Sequence, residues 1–278
     1  MGKYYHYTSI STLYNMLDKS IIKDESTGTL YLQFHASHIS TLNDTSERNL
    51  YILPFMAEVR KYASKRGREL TSIQEEKLRK MCFCDAYVIS LSTCQDDLVM
   101  WRGYGENGHG VCLEFDFSKA ISNYMDTKSN TFIMEDAKNI DKCNYIYPQD
   151  IVFDSDLIQK TYHCLIDATD ESNENIIRKA SVIRQITKEA MLCKHKAYEG
   201  EHESRFILFG GTPHFYDAKE GTIRKSYVIK TIPLDDITSV TIGPCIRDSR
   251  DIICFEQYLR MKLIKNTKIV YSTIPYRG

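Results

Sequence analysis

The sequence predicts an α+β protein that folds as a single domain over residues 1–278, with mixed or antiparallel sheets and helical insertions at about 44–82 and 150–195. Segments with strand character are scattered among helical ones, many at hairpin-like spacing, which favours α+β over regular βαβ alternation. No internal repeat or change in composition divides the chain. A chain of 278 residues can bury a large core within one domain.

The first forty residues are predicted to form a strand, a helix and a second strand. Residues 3–7 are aromatic-rich and favour a strand. Thr8 and Ser9 then cap a helix. Residues 30–34 form the second strand, and 35–42 a loop. The apolar stripe of the helix consists of Leu13, Met16 and Leu17.

Two stretches are predicted to be helical insertions. The first contains a helix from Asp44 or Thr45 towards Arg66, bent near Pro54, and a second helix at 71–81. The other runs from 151 to 195, with a break between two helices at 170–173. Its apolar face recurs at helical spacing at Ile176, Ala180, Ile183, Ile186 and Ala190.

The middle of the chain predicts a compact unit of strand, short helix, glycine-rich turn and strand. Apolar and small polar residues are interleaved in the strand at 86–92. The short helix runs from Leu98 to about Tyr104 and contains Trp101, the only tryptophan. Four glycines precede the strand at 111–115. Towards the C-terminus, a helix is predicted at 255–263, with strands at 204–209, 227–232, 237–242 and 268–271.

Composition limits the class of protein. Lys and Arg (36) nearly balance Asp and Glu (37), so no overall charge indicates a nucleic acid or a membrane surface as partner. The N-terminal residues lack the apolar core of a secretory signal, and no apolar run approaches the ~18 residues of a membrane span. Nine irregularly spaced cysteines then indicate reduced thiols and a cytoplasmic location. Cys82, Cys84 and Cys94 lack the paired spacing of a zinc site.

Three groups of polar residues are candidates for chemistry, and each also has a structural explanation. His6 ends the first strand, where it either holds a polar ligand or is hydrogen-bonded inside the core. Ser90 and Ser92 share one face of their strand and can form the floor of a pocket. The acidic residues Asp44, Glu47, Asp96 and Asp97 can cap helices, or they could bind the metal of a nuclease.

The strongest candidate is the row of acidic residues that precedes Arg205. If the strand begins early, Glu199, Glu201, Glu203 and Arg205 project from one face. Like charges in such a row repel, and a plain surface strand would mix signs. Arg205 can neutralise one carboxylate with a bidentate pair, which leaves another for a substrate. Lys194, His195 and Tyr198 precede the row.

The order of these motifs resembles a widespread, largely uncharacterised bacterial family of unknown function over about residues 3–245. The motifs are His-Tyr-Thr-Ser from His6, Leu-Asn-Asp-x-x-Glu from Leu42, Ser-x-Ser from Ser90, Asp-Asp-x-x-Met-Trp-x-x-Tyr-Gly from Asp96, Gly-Val-x-Leu-x-Phe from Gly110, Glu-x-Glu-x-Arg from Glu201 and Ile-Gly-Pro from Ile242. That family name carries no activity.

A weaker resemblance is to the ADP-ribosyltransferase superfamily, whose core has a first-strand His or Arg, a middle strand that supports the nicotinamide pocket and a late Glu. The opening motif is also similar to that of DNA-targeting ADP-ribosyltransferase toxins. The resemblance implies that His6 binds the adenosine-side ribose of NAD and that Glu203 or Glu201 contacts the nicotinamide ribose. The other residues implied in NAD binding are Tyr7, Thr8, Ser90, Ser92, Thr93, Trp101, Tyr104 and Arg205.

These observations lead to the expectation of an NAD-dependent ADP-ribosyltransferase-like enzyme, of the kind found among toxins and phage-defence effectors. NAD would be its substrate, and a nucleic acid or protein its acceptor, with no metal required. A carboxylate beside the ribose would stabilise the positive charge that develops as the bond to nicotinamide breaks. The alternatives are a non-catalytic sensor or partner-binding module on the same fold and, last, the metal-dependent nuclease.

Overall fold

The computed structural model of the chain describes residues 2–42, 47–117, 140–166, 173–216, 224–263 and 266–277. Within them, the strands are β1 (Lys3–Thr8), β2 (Ile21–Lys23), β3 (Leu30–His38), β4 (Tyr87–Ser92), β5 (Val111–Asp116), β6 (Ile140–Lys142), β7 (Asn144–Ile146), β8 (Cys193–His195), β9 (Glu203–Leu208), β10 (His214–Tyr216), β11 (Lys225–Pro233), β12 (Ile237–Ile242) and β13 (Lys268–Tyr271). The helices are α1 (Ile10–Lys19), α2 (Glu47–Ser64), α3 (Ser72–Cys82), α4 (Leu98–Gly103), α5 (Ser155–Ile166), α6 (Asn173–Leu192) and α7 (Ser249–Lys262).

Eleven of these strands form one mixed sheet, which confirms the predicted α+β class. Its main order is β10-β11-β3-β4-β1-β5-β12-β13, while β2 pairs with β3 and β9 pairs with both β4 and β6. The described pairings in this sheet are antiparallel except that of β12 with β13. The short strands β7 and β8 form a separate parallel pair.

Strand β4 lies at the centre because both of its edges are paired. One edge pairs with β9 along its whole length, from Tyr87 opposite Leu208 to Ser92 opposite Glu203. The other edge is shared, since Val88 pairs with Ser37 of β3 and Ser92 pairs with Tyr5 of β1. Strands β3 and β1 therefore diverge along the middle of β4, and the sheet has a gap beside Ser90.

Two large hydrophobic cores hold the helices. Helices α1 and α7 pack on one face through Leu13, Leu17, Phe255 and Leu259. A second core joins α2, α3, α5 and α6, with Phe55 and Ile186 fully buried in it. The helices of the two predicted insertions thus pack against each other.

Several elements differ from the sequence prediction. Strand β3 extends to His38, so half of the predicted 35–42 loop is sheet. The predicted helix around Pro54 is confirmed, since Pro54 lies inside α2. On α6, Ile186 and Ala190 of the predicted apolar stripe are buried, but its N-terminal end differs, because Ile176 is 55% exposed while Asn175 is buried. The short strands β2, β6, β7, β8 and β10 were not predicted. The break predicted at 170–173 lies largely outside the described residues.

Strands β3 and β11 alternate between buried and partly exposed residues. One face carries the core residues Phe34, Val228 and Ile232, whereas His35 and Tyr227 lie on the other. Such alternation is typical of a sheet with one face towards solvent. In the described part of the chain, no helix combines the length and hydropathy needed to cross a lipid bilayer.

Candidate functional site

A cavity of about 320 Å³ lies at the gap beside β4. Its volume is at the lower end of the range for small-molecule sites, about 300–1,000 Å³. Its walls come from the first 42 residues, from 88–104 and from 194–225. The lining residues on which the argument depends are His6, Ser90, Ser92, Tyr104, Lys194, Glu201, Glu203 and Arg205.

The hydroxyls on and after the central strand β4 differ in exposure and in hydrogen-bond partners. Ser90 is the one exposed residue of β4, and it faces the cavity. Ser92 also lines the cavity, but it is fully buried and its Oγ donates a hydrogen bond to the Glu201 carbonyl at 2.9 Å. Thr93 lies outside the lining and bonds the His202 carbonyl at 3.2 Å. Ser90 is therefore the hydroxyl available to a ligand.

Glu203 is held by two cations at the start of β9. Because alternate side chains of a strand share a face, Arg205 lies beside it and donates from Nε and Nη2 at 2.7 and 2.9 Å. Lys194 Nζ donates to Glu203 Oε2 at 2.7 Å. Burial alone would raise the pKa of the Glu203 carboxyl, but Arg205 and Lys194 lower it to about 2. Glu203 is consequently ionised at neutral pH.

Glu201 approaches the same lysine from a different element. It ends a 3₁₀ turn at 196–201, and the left-handed conformation of His202 (φ 47°) reverses the chain before β9. One Glu201 oxygen contacts Lys194 Nζ, and the other accepts a hydrogen bond from the Tyr104 hydroxyl at 2.8 Å. The prediction of one acidic face along a strand was therefore wrong. Glu199 is exposed and pairs with Lys196 instead.

The four charged groups form a balanced, buried network. Lys194 and Arg205 are 3% and 1% exposed, and Glu201 and Glu203 are 9% and 5% exposed. A buried ion pair is tolerated only when each charge is compensated by partners in good geometry. Arg205 also donates to the Met191 carbonyl at 2.5 Å, which ties the network to the end of α6. Neither carboxylate lacks a cation, contrary to the expectation that one remains free.

His6 reaches the gap from β1. Its ring packs edge-on against Phe34, with the ring centres 4.8 Å apart. Burial lowers the pKa of the imidazole to about 4, and a hydrogen bond with the Ser90 backbone offsets this only in part. At neutral pH the ring is uncharged, so one of its nitrogens is a donor and the other an acceptor.

The aromatic residues of the predicted set are divided between cavity and core. Tyr7 and Tyr104 line the cavity. Trp101 does not, because it is fully buried and packs edge-on against Tyr7 at 4.9 Å. Thr8 is also buried outside the lining. The geometry therefore does not favour the predicted contacts of Trp101 and Thr8 with NAD.

The acidic residues considered for a nuclease have structural partners. Asp97 caps α4 by accepting hydrogen bonds from the backbone of Val99 and Met100. Asp96 accepts one from the Trp101 indole at 2.7 Å and others from the C-terminal segment. Asp44, together with Asn43, lies outside the described residues, and so does the side chain of Glu47. The capping explanation holds for Asp97, whereas Asp96 has other structural partners.

No group of three or more His, Cys, Asp or Glu residues within the described ranges is arranged to hold a metal ion. Cys82 and Cys112 are free thiols, and both are buried.

Lys194 was not predicted as a site residue, although it lies in the same motif as Glu201 and Glu203. Lys194 is buried between the two carboxylates, with its Nζ 5.0 Å from the centre of the Tyr198 ring. Ser37 and Lys225 also line the cavity and were not predicted. The excess of acidic residues before Arg205 was the available signal, since a buried carboxylate pair needs a second cation.

One protein family matches the part of the chain that contains most of these site residues. Residues 100–206 match the family described as "Protein of unknown function (DUF2971)". No curated protein and no solved structure matches the chain. The DUF2971 match supports the resemblance to an uncharacterised family, over a shorter stretch than 3–245. The matched stretch includes Tyr104 and the four residues of the charged network, Lys194, Glu201, Glu203 and Arg205.

Proposed function

We propose that the cavity binds NAD and that the protein transfers ADP-ribose from NAD to a nucleic acid or protein acceptor. The proposal rests on three features that line one cavity. They are a neutral histidine on the first strand, a central strand that carries serines, and a pair of acidic residues late in the sequence. His6 and Glu203 are nearly 200 positions apart in the sequence. That combination is the one the ADP-ribosyltransferase resemblance implies.

The proposed reaction breaks the N-glycosidic bond between the ribose and nicotinamide. The bonding electrons leave with nicotinamide, and positive charge develops on the ribose, as in glycoside cleavage. The acceptor then forms a bond to the ribose carbon and loses a proton. An anionic side chain fixed beside the ribose stabilises the charge that develops in the transition state.

Glu201 is the better candidate for this anion. A carboxylate has about four acceptor positions. Glu203 already accepts three hydrogen bonds from Arg205 and Lys194, and both of its oxygens bind a cation. Glu201 accepts one bond from Tyr104 and one from Lys194, so each of its oxygens can still accept a ribose hydroxyl. We assign ribose contact to Glu201 and alignment of the two cations to Glu203.

The test compares Glu201→Gln with Glu199→Gln. Both changes remove one carboxylate from the same turn, but Glu199 is exposed and pairs with Lys196. We expect Glu201→Gln to slow nicotinamide release from NAD by about 100-fold or more, as for the loss of a comparable electrostatic contact. Glu199→Gln should match the wild type. Release of nicotinamide, and label transferred from NAD to lysate components, are the two measurements.

Two results would overturn the proposal. One is full activity in Glu201→Gln and in Glu203→Gln alike. The other is a wild-type protein that neither binds NAD nor releases nicotinamide. Thermal unfolding of each variant provides the control for folding, because Glu203→Gln leaves two buried cations with one carboxylate.

A second candidate function is a binding module that does not turn NAD over. The charge balance favours this reading, since Lys194 and Arg205 already neutralise both carboxylates. NAD binding measured by calorimetry, without release of nicotinamide and without labelled acceptor, would select this candidate.

A further inference from the structure

We propose that Asp96 is a positioning residue of the cavity: it fastens the C-terminal segment, residues 272–277, to α4 and so holds the Tyr104 hydroxyl on Glu201. The effect on turnover rests on the proposed function, whereas the mechanical link does not. Asp96 itself is not part of the cavity lining, so it acts through α4.

The Asp96 carboxylate joins two distant parts of the chain. Its Oδ1 accepts hydrogen bonds from the Trp101 indole and the Ser272 hydroxyl, both at 2.7 Å. Its Oδ2 accepts from the Thr273 backbone N–H at 2.8 Å and from the Thr273 hydroxyl at 3.2 Å. About four acceptor positions are available on a carboxylate, and all are used. These bonds lower the pKa of Asp96 despite the opposing effect of its burial.

Capping of α4 does not account for this arrangement, because the neighbouring Asp97 is the N-cap. Three of the four hydrogen bonds of Asp96 go to residues that follow β13 rather than to the helix. The same C-terminal segment is held elsewhere, since Arg247 donates to the Tyr276 carbonyl at 2.7 Å. Ile274 packs against the cluster of buried residues around Trp101. Residues 272–277 therefore lie against α4 and restrain it, and we call this segment the strap.

Trp101 connects the C-terminal segment, through Asp96, to the position of Tyr104. Its ring lies so close to Gly105 that a Cβ at position 105 would be 2.5 Å from a ring carbon. The backbone at 104–105 therefore rests on the indole, whose orientation Asp96 sets. Tyr104 ends α4 and donates to Glu201 at 2.8 Å. A loosened indole would move the hydroxyl that orients Glu201.

The experiment is a double-mutant cycle of Asp96→Asn with Tyr104→Phe, measured by urea unfolding. Coupled residues give non-additive changes, whereas independent ones add. We expect Asp96→Asn to lower the unfolding midpoint by less in the Tyr104→Phe background than in the wild type. Additive changes would overturn the inference. Ser272→Ala, a milder change, replaces Asp96→Asn in the cycle if the latter does not fold.

The only tryptophan supplies a second measurement. Asp96→Asn and Ser272→Ala should shift the Trp101 emission to longer wavelength, because the indole loses its fixed environment. Asp97→Asn is the matched control, since Asn caps helices as well as Asp does. Emission that changes equally in Asp97→Asn would also count against the strap.

Measuring the turnover of NAD distinguishes a failure of the positioning role of Asp96 from a failure of the proposed function. If NAD is the substrate, Asp96→Asn should lower kcat at least tenfold with KM little changed, because only the orientation of Glu201 is lost. In the Tyr104→Phe background, the same change should have almost no further effect on kcat. A wild-type protein without turnover would reject the proposed function, while the unfolding cycle would still decide the inference.

Discussion

At the scale of single residues, the charge of His6 depends on the fold. It is half-buried between Phe34 and the Ser90 backbone, and burial lowers its pKa to about 4. A charged imidazole at this position would lie in the same cavity as Lys194 and Arg205. A neutral ring instead offers one donor and one acceptor to a polar ligand.

This pKa predicts that the protein loses stability in mild acid. The folded pKa lies below the unfolded value of about 6.5, so the unfolded state takes up the proton first as pH falls. The stability contributed by neutral His6 is present above about pH 6.5 and is lost towards pH 4, by roughly 3 kcal/mol in total. Urea unfolding of His6→Phe should show a shallower decline over this range. A decline identical to that of the wild type would contradict the prediction.

At the scale of elements, the glycine turn between α4 and β5 decides how closely the helix approaches the sheet. A Cβ on Gly110 would lie 2.3 Å from the Thr8 carbonyl oxygen and 3.0 Å from the Gly105 backbone. Both neighbours are backbone atoms and have little room to move. Gly110 therefore lets the turn pack against the end of β1, which brings Tyr104 and His6 to the same cavity.

We predict that Gly110→Ala lowers the unfolding free energy by about 2–4 kcal/mol, because the added methyl group forces β1 and the turn apart. Gly103→Ala is the matched control. It lies in α4 with no atom within 4 Å of an added Cβ, so it should change stability by less than about 1 kcal/mol. Chemical denaturation of both variants is the measurement. Equal losses of unfolding free energy in the two variants would show that the close contact of Gly110 with Thr8 has no influence on stability.

The helices α2, α3, α5 and α6 share one core, and we call them the helical layer. At the scale of the whole molecule, the charged network lies where this helical layer meets the sheet. Arg205 belongs to β9, its carbonyl partner Met191 lies near the end of α6, and Lys194 follows in β8. The helical layer has a core of its own around Phe55, and the sheet has another around Phe115. The network connects the two, so the cavity depends on both.

This connection predicts that the two layers unfold together. Phe55→Ala removes a fully buried ring from the helical core and should lower stability by about 3–5 kcal/mol. Trp101 emission reports the sheet, and far-UV circular dichroism reports mainly the helices. In a single cooperative domain the two signals change at the same urea concentration, both in the wild type and in Phe55→Ala. Separate midpoints would show two independently folding units.

The sequence by itself determined the elements whose signals are local. The strands β1, β4 and β5 lie within a residue or two of their predicted positions. The Asp97 cap and the bidentate contact between Arg205 and Glu203 follow from spacings of one to three residues. Capping and strand alternation depend on near neighbours in the chain, and the sequence displays those neighbours directly.

The tertiary structure alone decided which charges meet. Lys194 lies between Glu201 and Glu203 because the reversal at His202 and the end of α6 converge, and no local pattern encodes that meeting. The gap beside Ser90 exists because β3 and β1 share one edge of β4, a pairing between segments far apart in the sequence. Burial and strand pairing are properties of the assembled sheet, so they set the charge of His6, the partners of both carboxylates and the shape of the cavity.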